Sequence, residues 1–102
     1  MAKLISIYWR DIPAQVVGRK GRTNFKKELE PRFLKSIDRA AMRAGRGSSD
    51  AYLADWRRET ENVSGDIEAL VIDRVAQLEN EFDDEYLESV VKAGGVAGDK
   101  EA

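Results

Sequence analysis

The sequence predicts a small α+β sandwich, in which a three-stranded sheet (a hairpin plus one strand) is covered by two main helices and a short third helix. Three observations predict it. Residues 3–18 alternate in character with a period of two around a proline corner, two later segments carry apolar stripes at helical spacing, and Gly, Ser and Asp mark the joints. Strands before and after the first helix, joined by short loops, pack most economically as one sheet covered by helices on one face.

From Lys3 to Trp9, the residues Leu4, Ser6 and Tyr8 alternate with Ile5, Ile7 and Trp9, so both faces carry apolar groups and the segment reads as a strand. Pro13 cannot donate to a ladder and belongs at a corner or a strand's first residue. The β-branched "AQVVG" after it reads as a short returning strand, which makes a hairpin-like pair. Gly18 and Gly21 supply backbone freedom for a turn around Arg19, Lys20 and Arg22.

Thr23 or Asn24 offers a cap, but Pro31 fits a helix best at its first position, so the regular helix starts near Glu30. Phe33, Leu34, Ile37, Ala40, Ala41 and Ala44 form its inward stripe, and Gly45 stops it. "GRGSSD" is a loop by composition. In "AYLADWRRE", Tyr52, Ala54 and Trp56 alternate as in a strand with an aromatic inner face, although Tyr52, Leu53 and Trp56 also fit one helical face behind Ser49 or Asp50. The strand over 51–58 is favoured. After the polar "ETENVSGD", Ile67, Leu70, Val71, Val75, Leu78 and Phe82 form a second helical stripe, with Ser64 or Asp66 as its N-cap. A shorter helix spans Asp84 to Ala93, with Leu87, Val90 and Val91 inward and Gly94 as its stop. These elements make one domain over 1–95, followed by a flexible tail over 96–102 with little to bury.

A chain of 102 residues, 42% apolar and 35% charged, can fill one core but not two. It has no cysteine and no histidine, which removes disulfides, thiolate chemistry, the commonest general base and the commonest transition-metal ligand. The N-terminal apolar run is too short for a signal segment or a membrane span, so the expectation is a cytoplasmic protein with no membrane partner. Charge is unevenly distributed. Residues 1–58 hold 14 Lys+Arg against 6 Asp+Glu, and residues 59–102 hold 3 against 13, within a net charge of -2. Pairing of the basic and acidic segments, within one chain or between copies in a homo-oligomer, is as consistent with this as a nucleic-acid groove.

Arg19, Lys20, Arg22, Lys26 and Lys27 gather around Gly18 and Gly21, where freed amides and guanidinium forks can hold an anion, though "GRKGR" lacks the spacing and ending of a Walker loop. The plain alternative is a solvated turn. Tyr8, Trp9 and Trp56 are either core residues or a binding platform. The dipeptide Trp-Arg occurs twice, at Trp9-Arg10 and Trp56-Arg57, and on neighbouring strands the two copies would form one aromatic and cationic patch suited to a planar anion. The candidate binding residues are therefore Trp9, Arg10, Arg19, Lys20, Arg22, Trp56 and Arg57. The acidic run Glu79, Glu81, Asp83, Asp84, Glu85 and Glu88 lacks the glycine and alternation of a calcium loop and reads as a solvated helix junction. No metal site, cofactor or catalytic constellation is legible, and the reading leans away from an enzyme.

The blocks "YWRDIPAQVVGRKGR", "RFLKSIDRAAMRAG" and "SDAYLADWRR" resemble the bacterial virulence factor domain family, whose segment also occurs in the conserved virulence factor C type of protein. The likeness covers residues 3–95. It implies an association with pathogenicity and, for small stand-alone members, gene neighbourhoods of one-carbon and methyl-transfer metabolism. It supplies no catalytic residue, cofactor or ligand. The leading expectation is a non-catalytic accessory domain that docks a protein partner and supports a partner enzyme; the alternative is a module that binds a small anion, a nucleotide or nucleic acid through the basic loop 19–27 and the Trp-Arg strands.

Overall fold

The computed structural model describes residues 2–45 and 49–96. The chain runs β1 (Ala2–Trp9), β2 (Ile12–Lys20), β3 (Thr23–Glu28), α1 (Pro31–Arg43), α2 (Ser49–Ala54), β4 (Trp56–Val63), α3 (Ile67–Glu81) and α4 (Asp84–Lys92). The α+β class holds, but the sheet has four antiparallel strands, in the order β3-β2-β1-β4, where three were expected.

The two corrections share a cause. β3 (TNFKKE) and β4 (WRRETENV) are the edge strands, and each is almost wholly exposed. Charged edge strands resist pairing with other chains, and for the same reason they lack the apolar alternation that marks a strand. The expected strand over 51–58 is therefore split: Tyr52 and Leu53 lie on the short helix α2, and the strand starts only at Trp56 and continues through the segment read as a polar connection.

Both hairpins close with two-residue loops that place a positive φ at the first position, as a type II′ turn requires. Between β2 and β3 that residue is Gly21, at φ 61°. Between β1 and β2 it is Arg10, at φ 53°.

Pro31 opens α1 as its spacing predicts, and Arg43 stands in the last turn. The Asp66 carboxylate accepts from the Glu68 N–H at the start of α3, and Asp83 does the same for Tyr86 at α4. Leu4, Val16, Phe33, Ile37, Val71, Val75, Leu78, Leu87, Val90 and Val91 belong to one buried cluster drawn from the sheet and from α1, α3 and α4. Leu34 departs from its stripe, being 44% exposed, while Ser36 is buried in its place. The flexible tail expected over 96–102 lies, beyond Val96, outside the described residues. Among the described residues no helix is long and apolar enough to cross a membrane.

Helix α3 packs closely on β2 at Gly18, where a Cβ would lie 2.8 Å from Val71 Cγ2 and 3.2 Å from Ile67 Cβ. Neither neighbour is the end of a flexible chain, so Gly18→Ala should push α3 off the sheet and cost about 1–3 kcal/mol. Urea unfolding measures this, and an unchanged midpoint would contradict the close approach.

Candidate functional site

Trp9 and Arg10 form a corner. Trp9 is fully buried, stacks on Tyr52 with ring centroids 5.9 Å apart, and donates from Nε1 to the Tyr52 carbonyl at 2.9 Å. This satisfies the one polar group of a buried indole. Gly95 lies against its other edge, where a Cβ would stand 2.7 Å from Trp9 Cζ3 and the backbone φ is 97°. Arg10 donates from Nε to Asp55 Oδ2 at 3.1 Å and from Nη1 to the Gly94 carbonyl at 2.9 Å. Its own N–H reaches the Asp55 carbonyl, and its carbonyl accepts from Arg57 Nε at 2.7 Å. The guanidinium also lies 5.3 Å from the centroid of the Trp9 ring.

The two Trp-Arg dipeptides are indeed neighbours, with Trp9 opposite Trp56 and Tyr8 opposite Arg57. They do not make an open platform. Trp9 is sealed in the core, Arg10 is engaged on both sides, and Arg57 lies 4.5 Å over the Tyr8 ring while bonded to Asp11 and Glu59. Burial, followed by the Glu59 carboxylate, raises the Tyr8 phenol above its ordinary 10.0, against the opposing pull of Arg57 and Arg74. Of the two indoles only Trp56 is partly open, beside the 40% exposed but doubly paired Arg57.

The basic turn sits at the other end of the hairpin. β2 runs nine residues from Ile12 to Lys20, which at strand rise separates the turn from the corner by roughly 26 Å. The expected cluster also divides between faces. By register, Arg19 lies opposite Lys3 and Asn24, on the other side of the sheet from Lys20, while Arg22 is in the loop.

Period-two alternation sorts the sheet into two surfaces. Leu4, Ser6, Val16 and Gly18 face α3. The opposite surface presents Lys3, Ile5, Ile7, Gln15, Val17, Arg19, Lys26, Glu28, Arg58 and Thr60. Ile7 and Val17 remain half-exposed in the middle of this surface, and Lys3, Arg19, Lys26 and Arg58 are exposed around them. Glu28 is the one carboxylate on it. None of its four cations joins an ion pair among the described residues, whereas Arg10, Arg32, Arg39, Arg57 and Arg74 all do. At its lower end, Ala14, Gln15, Glu28, Leu34 and Trp56 line a cleft of about 120 Å³.

Sequence reasoning reached Arg19 and Trp56 but not Lys3 or Arg58 as members of one surface. The signal available was the apolar character of both faces of 3–9, which leaves Ile5 and Ile7 pointing away from the helices. Arg58 could not be placed while residues after 58 were read as a connection. Among the described residues no group of three or more acidic side chains could hold a metal ion.

A family model described as "Virulence factor" matches residues 7–91, which runs from the end of β1 through to the last turn of α4. The chain belongs to the virulence factor family. No curated protein and no solved structure matches it. The matched region contains both Trp-Arg dipeptides and most of the open sheet surface, with Lys3 and Ile5 just before it and the corner's Gly94 and Gly95 just after it.

Two measurements separate the structural residues from the free ones. Arg10→Ala keeps the strained φ and loses the ties, and should cost about 1–3 kcal/mol; Arg10→Gly relieves the strain and should cost less. Arg19→Glu, Lys26→Glu and Arg58→Glu should each stay within about 0.5 kcal/mol of the parent in urea unfolding. Tyr8 generates a pH effect. A phenol whose folded pKa is raised binds its proton more tightly when folded, so its share of stability is intact below pH 10.0 and lost as pH climbs through the folded value. Tyr8→Phe should make the alkaline loss of stability shallower, which a series of unfolding curves above pH 10 would show.

Proposed function

We propose that this chain is a docking module whose open sheet surface binds an acidic surface of a protein partner. The observation that carries the reading is the set of unpaired cations Lys3, Arg19, Lys26 and Arg58 around the half-exposed Ile7 and Val17. Neutralising free cations gives speed and selectivity of association, and the apolar strip between them contributes the desolvation that holds the complex. Docking on the face is favoured over strand addition, because both edges of the sheet are charged along their length. A nucleic-acid platform would stack successive bases on several aromatic rings, whereas Tyr8 and Phe25 lie by register on the side facing α3 and Trp56 is the one aromatic residue described on this surface. The module acts as an accessory part that brings proteins together.

Selection from a random displayed-peptide library tests this. Acidic peptides should be enriched, and their binding should weaken as salt rises. The triple variant Arg19→Glu, Lys26→Glu, Arg58→Glu should lose at least about tenfold in affinity while keeping its fold. Selected peptides without acidic bias, or binding untouched by the triple variant, would overturn the reading. Tighter saturable binding of single-stranded RNA to the same surface would replace it with the nucleic-acid alternative.

A further inference from the structure

Resting on that docking reading, we infer that the cleft at the lower end of the sheet surface receives one aromatic side chain of the partner, a tyrosine or tryptophan, through its ring and its polar hydrogen. At about 120 Å³ the cleft holds a side chain; sites for small molecules and cofactors run to roughly 300–1,000 Å³. Its walls are Ala14, Leu34 and the indole of Trp56. Leu34 is 44% exposed on a helix whose neighbours Phe33 and Ile37 are completely buried. It therefore presents apolar surface to the cleft without serving the core.

The lip is polar and of one chemical kind. Glu28 offers a carboxylate and Gln15 an amide oxygen, directly opposite each other across β2 and β3. The Glu28 side chain makes no ion pair or hydrogen bond among the described residues and is exposed, so its carboxylate oxygens are available as acceptors. An apolar pocket with an unused acceptor at its rim fits an aromatic ring that carries a donor, the phenol O–H or the indole N–H. Phenylalanine would fill the walls but offer the carboxylate no donor. This also gives the one acidic residue of a basic surface a defined task.

The register places the charges that would flank such an anchor. On the same surface, Lys26 is two residues from Glu28 and Arg58 is two residues from Trp56, each roughly 7 Å along its strand. An aromatic residue seated in the cleft would thus have acidic neighbours in sequence within reach of these cations. Central aromatic anchors surrounded by weaker polar contacts are the usual distribution of binding energy in an interface.

The same peptide selection decides between the two levels. The expected outcome is a tyrosine or tryptophan at one position of the acidic peptides. Changing that tyrosine to phenylalanine, or Glu28→Ala in the protein, should weaken binding by about tenfold. Leu34→Trp, at an exposed position, fills the cleft and should weaken it by about thirtyfold or more. A tyrosine-anchored peptide should also shift the Trp56 emission, and Trp56→Phe should abolish the shift because Trp9 is out of reach in the core. Acidic peptides with no fixed aromatic residue, or with arginine or lysine at the anchor, or unaffected by Leu34→Trp, would overturn the cleft inference and leave the docking surface standing. A selection with no acidic bias, or without binders, would overturn the docking surface itself.

Discussion

A two-residue loop between β1 and β2 needs a positive φ at its first position, and this chain meets that need with an arginine where glycine would be free of strain. The cost, about 1–3 kcal/mol for a side-chain-bearing residue in this region, persists only if the surroundings hold the residue there. They do so from three directions. Asp55 ties Arg10 to the junction of α2 and β4, the Gly94 carbonyl ties it to the end of α4, and Arg57 caps its carbonyl from β4. The same corner buries Trp9 between Tyr52 and Gly95. One turn thereby fixes where the edge strand β4 begins, how the last helix ends, and which indole is in the core. Trp56, its cross-strand partner on the edge strand β4, packs edge-on to Tyr52 and stays partly open.

Electrostatics follows from this arrangement. The arginines near the corner and between the helices are paired: Arg32 bonds to the carbonyls of Glu79 and Phe82, and Arg39 holds Glu88 through two bonds. The Arg39 hydrogen bond is the first cause that keeps the Glu88 carboxyl below its ordinary range. Three ion pairs, Arg32–Asp84, Arg39–Glu88 and Arg57–Glu59, join the basic first half of the chain to the acidic second half. The cations on the open sheet surface have no ion-pair partner among the described residues. Exposed pairs contribute little to stability, so unpaired cations there cost the fold almost nothing and stay free for an acidic partner.

The helices α1, α3 and α4 were legible in the sequence because each carries both its stripe and its boundary, whereas the short α2 was read as part of a strand. Pro31 marks the start of α1, Asp66 caps α3, and Leu87, Val90 and Val91 all turn inward on α4. The central hairpin was legible because its alternation survives on both faces. β3 and β4 were not, since an edge strand that must resist aggregation is written in Lys, Arg, Glu and Thr, and such a sequence is indistinguishable from a loop. Of the candidate site, Arg19 and Trp56 could be singled out by residue type, but the roles of Trp9, Arg10 and Arg57 could not. An indole or guanidinium has the same letter whether it ends in a core or on a surface.

By itself, the sequence determined the α+β class, the three long amphipathic or capped helices, the hairpin with its two turns, and the absence of sulfur and imidazole chemistry. These depend on spacing along the chain, on capping groups and on composition, all of which are local. Tertiary structure alone decided that the sheet has four strands, that Lys3, Arg19, Lys26 and Arg58 share one surface, and that Trp9 is buried while Trp56 lines a cleft. Each of these depends on register between strands distant in sequence, where a shift of one residue would exchange the two faces. No local pattern carries that information; the Arg10 corner and the packing of α3 on Gly18 supply it.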